Sequence, residues 1–240
     1  TVAHNLAHSN VDVAVFEIGR VMSRASHLPE ERNQVGIALT GRRHPERFGD
    51  ERETAYDFFD MKGLLEGWFA SRRMTGVECE SVAHPAFREG AAAEFRHRGK
   101  RLAVIGEATT ELTGDMRLNH PLFLALVELD DVLETAVSPR VYTPLPQFPA
   151  TVRDISMEAP AALTNSQIIE AIKESKNTWL EDVTLFDVYQ GEDEEAQGRR
   201  SLAYSLRYRS PERTLTDEEV NDAHEKIKAA LAKKLPVTFR

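Results

Sequence analysis

Five arginines lie close together near the end of the chain and could bind phosphate groups. They are Arg199, Arg200, Arg207, Arg209 and Arg213. Residues 148–240, which contain them, hold 13 Lys and Arg against 17 Asp and Glu, a difference of −4. Because this balance does not favour phosphate binding over the whole segment, we expect a local arginine patch at most. Ordinary surface arginines are the alternative interpretation.

The strand predicted over residues 201–209 determines which of these arginines share a face. Apolar residues alternate along it with small or charged ones, and alternate residues of a strand point to opposite faces. The apolar set is Leu202, Tyr204, Leu206 and Tyr208. We therefore expect Arg207 and Arg209 on the exposed side, with Arg199, Arg200 and Arg213 near the strand ends.

Two helices with capping boxes accompany this strand. Thr164 with Gln167 precedes isoleucines at helical spacing, and Thr216 with Glu219 precedes a second apolar stripe that Pro236 ends. The order strand, helix, strand, strand, helix, strand is typical of a ferredoxin-like βαββαβ domain. In this arrangement both helices cover one face of an antiparallel sheet, and the open face is where such modules bind RNA.

The same region resembles a known family. FPATVRDISM, LFDVYQG and RRSLAYSLRYRSPERTLTDEEVNDAHEKI are similar to the ferredoxin-fold anticodon-binding domain that ends the β subunit of bacterial phenylalanyl-tRNA synthetase. The resemblance implies contact with the anticodon region of tRNA(Phe). The positions that match the family's motifs are Arg153, Asp154, Arg207, Arg209, Ser210 and Arg213. Arg153 and Asp154 could instead form an internal ion pair. The candidate tRNA-binding residues are therefore Arg153, Arg199, Arg200, Arg207, Arg209 and Arg213.

One long helix and several strands are predicted in the first half. The helix, over residues 56–73, carries a broad apolar stripe that we interpret as core or as a helix–helix interface: Phe58, Met61, Leu64, Leu65, Trp68 and Phe69. We predict strands over residues 11–22 and 34–41, and more within residues 77–129 with a hairpin tip at Gly99 and Lys100. Residues 23–32 are expected to form a loop, and the charged residues 42–53 a mobile or solvated segment.

The first half resembles the same β subunit. VAVFEIG, YDFFDMKGLLEG, HPAFREGAAAEF and LAVIGEATTEL are similar to its domain that mimics a class II synthetase core. The resemblance implies a non-catalytic relic that packs against the catalytic α subunit in an (αβ)₂ heterotetramer. It also implies that the complete enzyme, a phenylalanine-tRNA ligase, uses ATP and Mg²⁺. This part of it is expected to hold no cofactor.

We predict an α+β fold with two domains. A class II synthetase core-like domain on an antiparallel sheet, incomplete at its N-terminus, spans residues 1–137, and a ferredoxin-like βαββαβ domain spans residues 148–240. Residues 138–147 contain three prolines and form the predicted linker. The chain starts at Thr1 without Met, so we expect it to be a piece of a longer protein.

Bulk composition restricts the class of protein. The chain is 41% hydrophobic and 29% charged, with a net charge of −9 and a pI near 5.5, which argues against a general nucleic-acid coat. The single Cys79 excludes an intramolecular disulfide and a cysteine-based zinc site, and it suits a reducing cytoplasm. No apolar run approaches the length of a membrane span, so no membrane association is predicted.

No catalytic motif is found in the sequence. A GxxxxGK phosphate loop and a GxSxG elbow are absent, and the strand at Phe16 and Glu17 lacks the arginine that precedes it in the class II motif it resembles. His4 and His8 have the i, i+4 spacing of some zinc sites, but no third ligand is identifiable. The main hypothesis is a tRNA-binding and assembly fragment. The alternative is a structural interaction module whose sheet face meets protein.

Overall fold

The chain folds into two compact units, Thr1–Val141 (unit 1) and Tyr142–Arg240 (unit 2). The computed structural model describes residues 1–23, 30–44, 54–114, 116–135, 142, 144–189, 191 and 198–239. The boundary between the units falls inside the predicted linker, of which residues 138–141 and 143 lie outside the described residues. Each unit has its own hydrophobic core.

Unit 1 is built on a six-stranded antiparallel sheet. Its elements are α1 (Val2–Ala7), β1 (Val13–Ser23), β2 (Glu30–Thr40), α2 (Phe58–Ser71), β3 (Val77–Ser81), β4 (Phe87–His97), β5 (Lys100–Ala108), α3 (Thr110–Thr113), β6 (Phe123–Glu128) and α4 (Leu129–Glu134). The strands lie in the order β1-β2-β6-β5-β4-β3. Strand β1 is therefore an edge of the sheet.

Helix α2 covers one face of this sheet. Asp57 and Asp60 form its capping box, with each side chain accepting a hydrogen bond from the other's backbone N–H. Met61, Leu65 and Phe69 are buried in one core with strand residues such as Ile37 and Ile105. The predicted helix is confirmed.

Strand β2 begins earlier than the sequence predicts. It pairs with β1 along its whole length, from Ser23 opposite Glu30 to Val13 opposite Thr40, so residues 30–32 are strand and the loop prediction is wrong for them. The sequence pattern did not predict this part of the strand, because its residues are charged. Charged residues are tolerated here because this end of the hairpin is exposed on both faces. An ion pair between Arg20 and Glu31, 3.0 Å long, joins the two strands there.

The start of the charged segment is held to the sheet. Arg42 donates from its backbone and its Nε to the two carboxylate oxygens of Asp12, at 2.8 and 2.9 Å, and these bonds lower the pKa of Asp12. Arg43 donates to Asp60 in the capping box of α2. Arg42 and Arg43 are therefore fixed by ion pairs although they stay partly exposed to solvent, so of the two expectations mobility is wrong for them. Residues 45–53 lie outside the described residues.

Replacing Gly41 by alanine is expected to destabilise unit 1. Gly41 has a φ of +86°, and an added Cβ would lie 2.4 Å from the Val11 carbonyl oxygen. The left-handed backbone alone costs about 1–2 kcal/mol, so with the clash we expect a loss of more than about 2 kcal/mol in urea unfolding. The control is Gly76→Ala, because Gly76 has a φ of +74° but no atom within 4 Å of the added Cβ. Equal losses for the two variants would show that the clash is relieved.

Unit 2 has the predicted ferredoxin-like topology. Its elements are β7 (Thr151–Pro160), α5 (Asn165–Lys173), β8 (Leu180–Tyr189), β9 (Arg199–Tyr208), α6 (Asp217–Lys234) and β10 (Thr238–Phe239). The four strands form an antiparallel sheet in the order β10-β7-β9-β8. Both capping boxes are present, at Thr164 with Gln167 and at Thr216 with Glu219.

The two helices of unit 2 share a core with one face of its sheet. Leu202, Tyr204, Leu206 and Tyr208 of β9 are buried in a cluster with apolar residues of both helices, as their alternation predicts. Tyr204 donates a hydrogen bond of 2.8 Å to Asn165 at the start of α5, and burial raises the pKa of Tyr204 to about 12. The opposite face of the sheet is left without a helix among the described residues.

Candidate nucleic-acid interface

The register of the strands defines the residues on the open face of unit 2. Side chains directly opposite each other in a sheet share a face, so the alternation on β9 extends to its neighbours β7 and β8. Four rows of side chains cross the face: Val152, Arg207 and Asp182; Asp154, Ser205 and Thr184; Ser156, Ala203 and Asp187; Glu158, Ser201 and Tyr189. We call these twelve residues the open face.

Arg207 is the candidate arginine that lies on the open face with a free guanidinium. Its side chain is exposed, and it sits between Val152 and Asp182 on the flanking strands. No hydrogen bond or ion pair of its side chain is found in the described part of the chain. Arg207 is therefore available to a ligand on this face.

Arg209 bonds to the segment that precedes β7. Its Nε donates to Glu181 at 3.0 Å and its Nη1 donates to the Phe148 carbonyl oxygen at 2.6 Å. Its side chain is only 20% exposed. The expectation that Arg209 is exposed beside Arg207 is therefore wrong, because the strand has ended and the side chain turns to the segment before β7.

Arg153 lies on the helix-covered side of the sheet. It shares that side with the buried Ile155, two residues further along β7. Its guanidinium donates to Asp217 at 2.6 Å and to Asn221 at 3.0 Å, both on α6. The alternative of an ion pair between Arg153 and Asp154 is wrong, because adjacent residues of a strand point to opposite faces.

The other three candidate arginines bond within unit 2. Arg199 lies 3.7 Å from the carboxylate of Glu158 and also donates to its backbone carbonyl. Arg200 donates to the Leu163 carbonyl at 2.8 Å. Arg213 makes two hydrogen bonds to Glu219, 2.8 and 2.6 Å long, and lowers the pKa of that carboxyl to about 2. These three residues are near the strand ends, as predicted.

An exposed aromatic ring on the open face was missed by the sequence analysis. Tyr189 is 59% exposed and lies opposite Ser201, two residues beyond Asp187. A β-bulge at Leu185 to Asp187 places Leu185 on the core side but Asp187 and Tyr189 on the open side. Simple alternation would have put all three on one face, so the missing signal was the bulge.

The open face carries more acid than base. Asp154, Glu158, Asp182 and Asp187 lie on it, against Arg207 and the Arg199 side chain that approaches Glu158. The open face is therefore not suited to neutralising many phosphates. Aromatic rings stack on bases, and carboxylates accept hydrogen bonds from base N–H groups, so the face suits unpaired bases better than a phosphate backbone.

The exchange Arg209→Ala is expected to lower the free energy of unfolding of unit 2 by about 1–2 kcal/mol, because two charge-assisted hydrogen bonds are lost from a mostly covered group. The matched change Arg207→Ala removes an exposed side chain on the same strand and should stay within about 0.5 kcal/mol. Urea unfolding, monitored separately for each variant, measures both. If Arg207→Ala proves the more costly change, the assignment of roles is reversed.

Unit 1 exposes an apolar surface at its β1 edge. Phe16 is 71% exposed and Ile18 60%, and Leu64 of α2 is also exposed. With half-buried Trp68 they line a cavity of about 340 Å³ on the α2 side of the sheet. We call these four residues the β1 patch. The stripe of α2 is thus partly core, at Met61, Leu65 and Phe69, and partly open at Leu64 and Trp68.

Neither a metal-ligand cluster nor a membrane-spanning helix occurs among the described residues. No group of three or more His, Cys, Asp or Glu that could hold a metal ion occurs there. The rings of His4, in α1, and His8, which caps its C-terminal end, lie 4.3 Å apart and are tilted by 40°. In the same part of the chain, every helix is too short or too polar to span a bilayer.

Two protein-family models together match most of the chain. Residues 1–130 match the phenylalanyl tRNA synthetase beta chain CLM domain, and residues 146–240 match the ferredoxin-fold anticodon binding domain. The chain belongs to the phenylalanyl-tRNA synthetase beta chain family. The resemblance found in the sequence is therefore confirmed for both halves, as is the α+β fold class.

Curated relatives carry the same description. The phenylalanine–tRNA ligase beta subunit of Symbiobacterium thermophilum is 36% identical over 96% of this chain and 26% of its own length. That of Bacillus licheniformis is 33% identical over 100% of this chain and 30% of its own, and that of Pseudomonas putida is 34% identical over 99% and 30%. The chain spans less than a third of these relatives.

A solved tRNA synthetase is only distantly similar. Pyrrolysyl-tRNA synthetase from Desulfitobacterium hafniense aligns with a TM-score of 0.39 and 14% identity, over 55% of this chain and 45% of that one. A similarity this weak does not establish a common fold.

Proposed function

We propose that this chain binds tRNA(Phe) through the open face of unit 2 and joins a phenylalanine–tRNA ligase by packing unit 1 against the catalytic α subunit. The observation that supports it most is an open face that presents Tyr189 and Arg207, within a segment that matches the anticodon-binding domain. Anticodon bases are unpaired, so they can stack on a tyrosine ring and hydrogen-bond along their edges.

The assembly role is supported by the β1 patch. An exposed apolar surface beside an edge strand is typical of a surface that another protein covers. The partner proposed is the α subunit, in an (αβ)₂ heterotetramer. ATP and Mg²⁺ are proposed for the complete enzyme, and this part of it is proposed to hold neither. A cytoplasmic location follows from the role in protein synthesis.

Titration of the full 240-residue chain with tRNA(Phe) at several salt concentrations tests RNA binding. With one free guanidinium on the open face, we expect log affinity to fall with log salt at a slope of about −1, far less steep than for a basic RNA-binding protein. Arg207→Ala should weaken binding and bring the slope towards zero. Arg153→Ala serves as the control on the opposite face.

The alternative is a structural module that binds protein and not RNA. It predicts no measurable tRNA affinity at low salt, while co-purification with the catalytic subunit persists. That pair of results would reject the RNA-binding half of the proposal and keep the assembly half.

A further inference from the structure

A buried histidine connects helix α6 with the two central strands of unit 2. His224 is 8% exposed, and its Nδ1 lies 3.1 Å from the hydroxyl of the fully buried Tyr208 on β9. Its imidazole also lies near the backbone of Asp154 on β7. It is the only histidine in residues 142–240, so titration of unit 2 near neutral pH is dominated by one group.

The residues beside His224 belong to strands that form the open face. Asp154 has its backbone near the imidazole and places its side chain on the open face, opposite Ser205. Tyr208 directly follows Arg207 on β9. A change at His224 therefore acts on the helix-covered side of the two strands that carry Asp154 and Arg207 on the open face.

The surroundings of His224 favour the neutral ring. A neutral imidazole can accept the Tyr208 O–H at one nitrogen and donate to the Asp154 carbonyl with the other, whereas the protonated ring only donates. The charged groups that face it are Lys228 and Glu225 from α6 and Arg153 from β7. Since Glu225 is already bonded to Lys228 at 2.9 Å, no free carboxylate among these groups is available to the buried cation.

We propose that His224 is an acid-sensitive switch whose protonation releases α6 from the sheet and loosens the open face. Burial, followed by the charge of Lys228, lowers the pKa of His224 in the folded chain. Because the folded pKa is below that of the unfolded chain, the neutral ring stabilises the fold above about pH 6.5. This stabilisation is lost as the pH falls from there through the folded pKa.

The test compares the full chain with its His224→Gln variant. A glutamine can accept from Tyr208 and donate to Asp154, but it takes no proton in this range. We measure amide hydrogen exchange of residues 201–208 in both proteins at pH 7 and at pH 5. If folding lowers the pKa by about one pH unit, the ratio of wild-type to variant exchange rate is expected to rise about tenfold between pH 7 and pH 5. A larger lowering can raise this ratio to about 25-fold at most, because pH 5 lies only about 1.5 units below the unfolded pKa. Carboxylates titrate in both proteins and cancel in this ratio.

A second measurement keeps the proposal testable if His224→Gln fails to fold. The imidazole of His224, assigned by NMR in the wild-type chain, is expected to titrate with a midpoint below about 6.5. An exchange ratio that does not change with pH, or a midpoint at or above the ordinary histidine value, overturns the proposal. Neither readout involves RNA, so the result is independent of whether the open face binds tRNA.

Discussion

Replacing Tyr189 by alanine is expected to weaken tRNA(Phe) binding by about tenfold or more, since stacking of one base on an aromatic ring contributes about 1–3 kcal/mol. Tyr189 is the aromatic residue among the twelve that define the open face, it is largely exposed, and it lies two residues from Asp187. Its side chain supports no core residue, so the fold should be unaffected. Fluorescence titration of the full chain at low salt measures the change.

Two control variants separate stacking from other effects of Tyr189. Tyr189→Phe keeps the ring and should retain most of the affinity. Tyr142→Ala removes a tyrosine that is 82% exposed in unit 2 but lies outside the sheet, and it should leave binding unchanged. Should Tyr189→Ala bind as well as wild type, or Tyr142→Ala lose as much, the open face is not the RNA contact.

The exchange Phe16→Asp is expected to reduce association with the catalytic α subunit by about 30-fold or more, because a central aromatic residue of an interface contributes about 2 kcal/mol or more. Phe16 is the most exposed member of the β1 patch. An aspartate there would place a carboxylate against an apolar partner without a compensating charge. Co-purification of the two subunits, followed by titration of the isolated chains, measures the loss.

Leu112→Asp is the matched control for this interface. Leu112 is also an exposed apolar residue of unit 1, but it belongs to the short helix α3 and lies outside the β1 patch. It should associate as wild type does. Equal loss in both variants would point to general destabilisation, and no loss in Phe16→Asp would place the subunit contact elsewhere on unit 1.

Local signals were sufficient for most of unit 2. The capping boxes at Thr164 and Thr216 fixed both helix starts, and the alternation from Leu202 to Tyr208 fixed the buried face of β9. These features depend on residues three or two positions apart, so they are visible in a single sequence. They also identified the side of the sheet that the helices leave open.

The roles of the arginines depended on tertiary contacts that spacing does not contain. Arg153 bonds to Asp217, Arg209 to Phe148, and Arg213 to Glu219. Two of these partners are more than sixty positions away, a separation no periodicity can reveal. Of the six candidates, Arg207 was both correctly placed on the open face and left unpaired within the described residues.

A β-bulge and solvent exposure explain the other differences. The bulge in β8 turned Asp187 and Tyr189 to the open face, and a bulge leaves no clear mark in residue types. Likewise, β2 begins at charged residues because its first part is exposed on both faces. A sequence pattern reports burial, so strands that are not buried escape it.

NMR chemical-shift mapping of the full chain with an anticodon stem-loop of tRNA(Phe) tests the central claim most directly. The account predicts that the amides of Tyr189, Ser205 and Arg207 shift on titration, while those of Lys226 and Lys233 on the helix side do not. Shifts confined to the helix side, or no shifts at low salt, would contradict an RNA-binding open face.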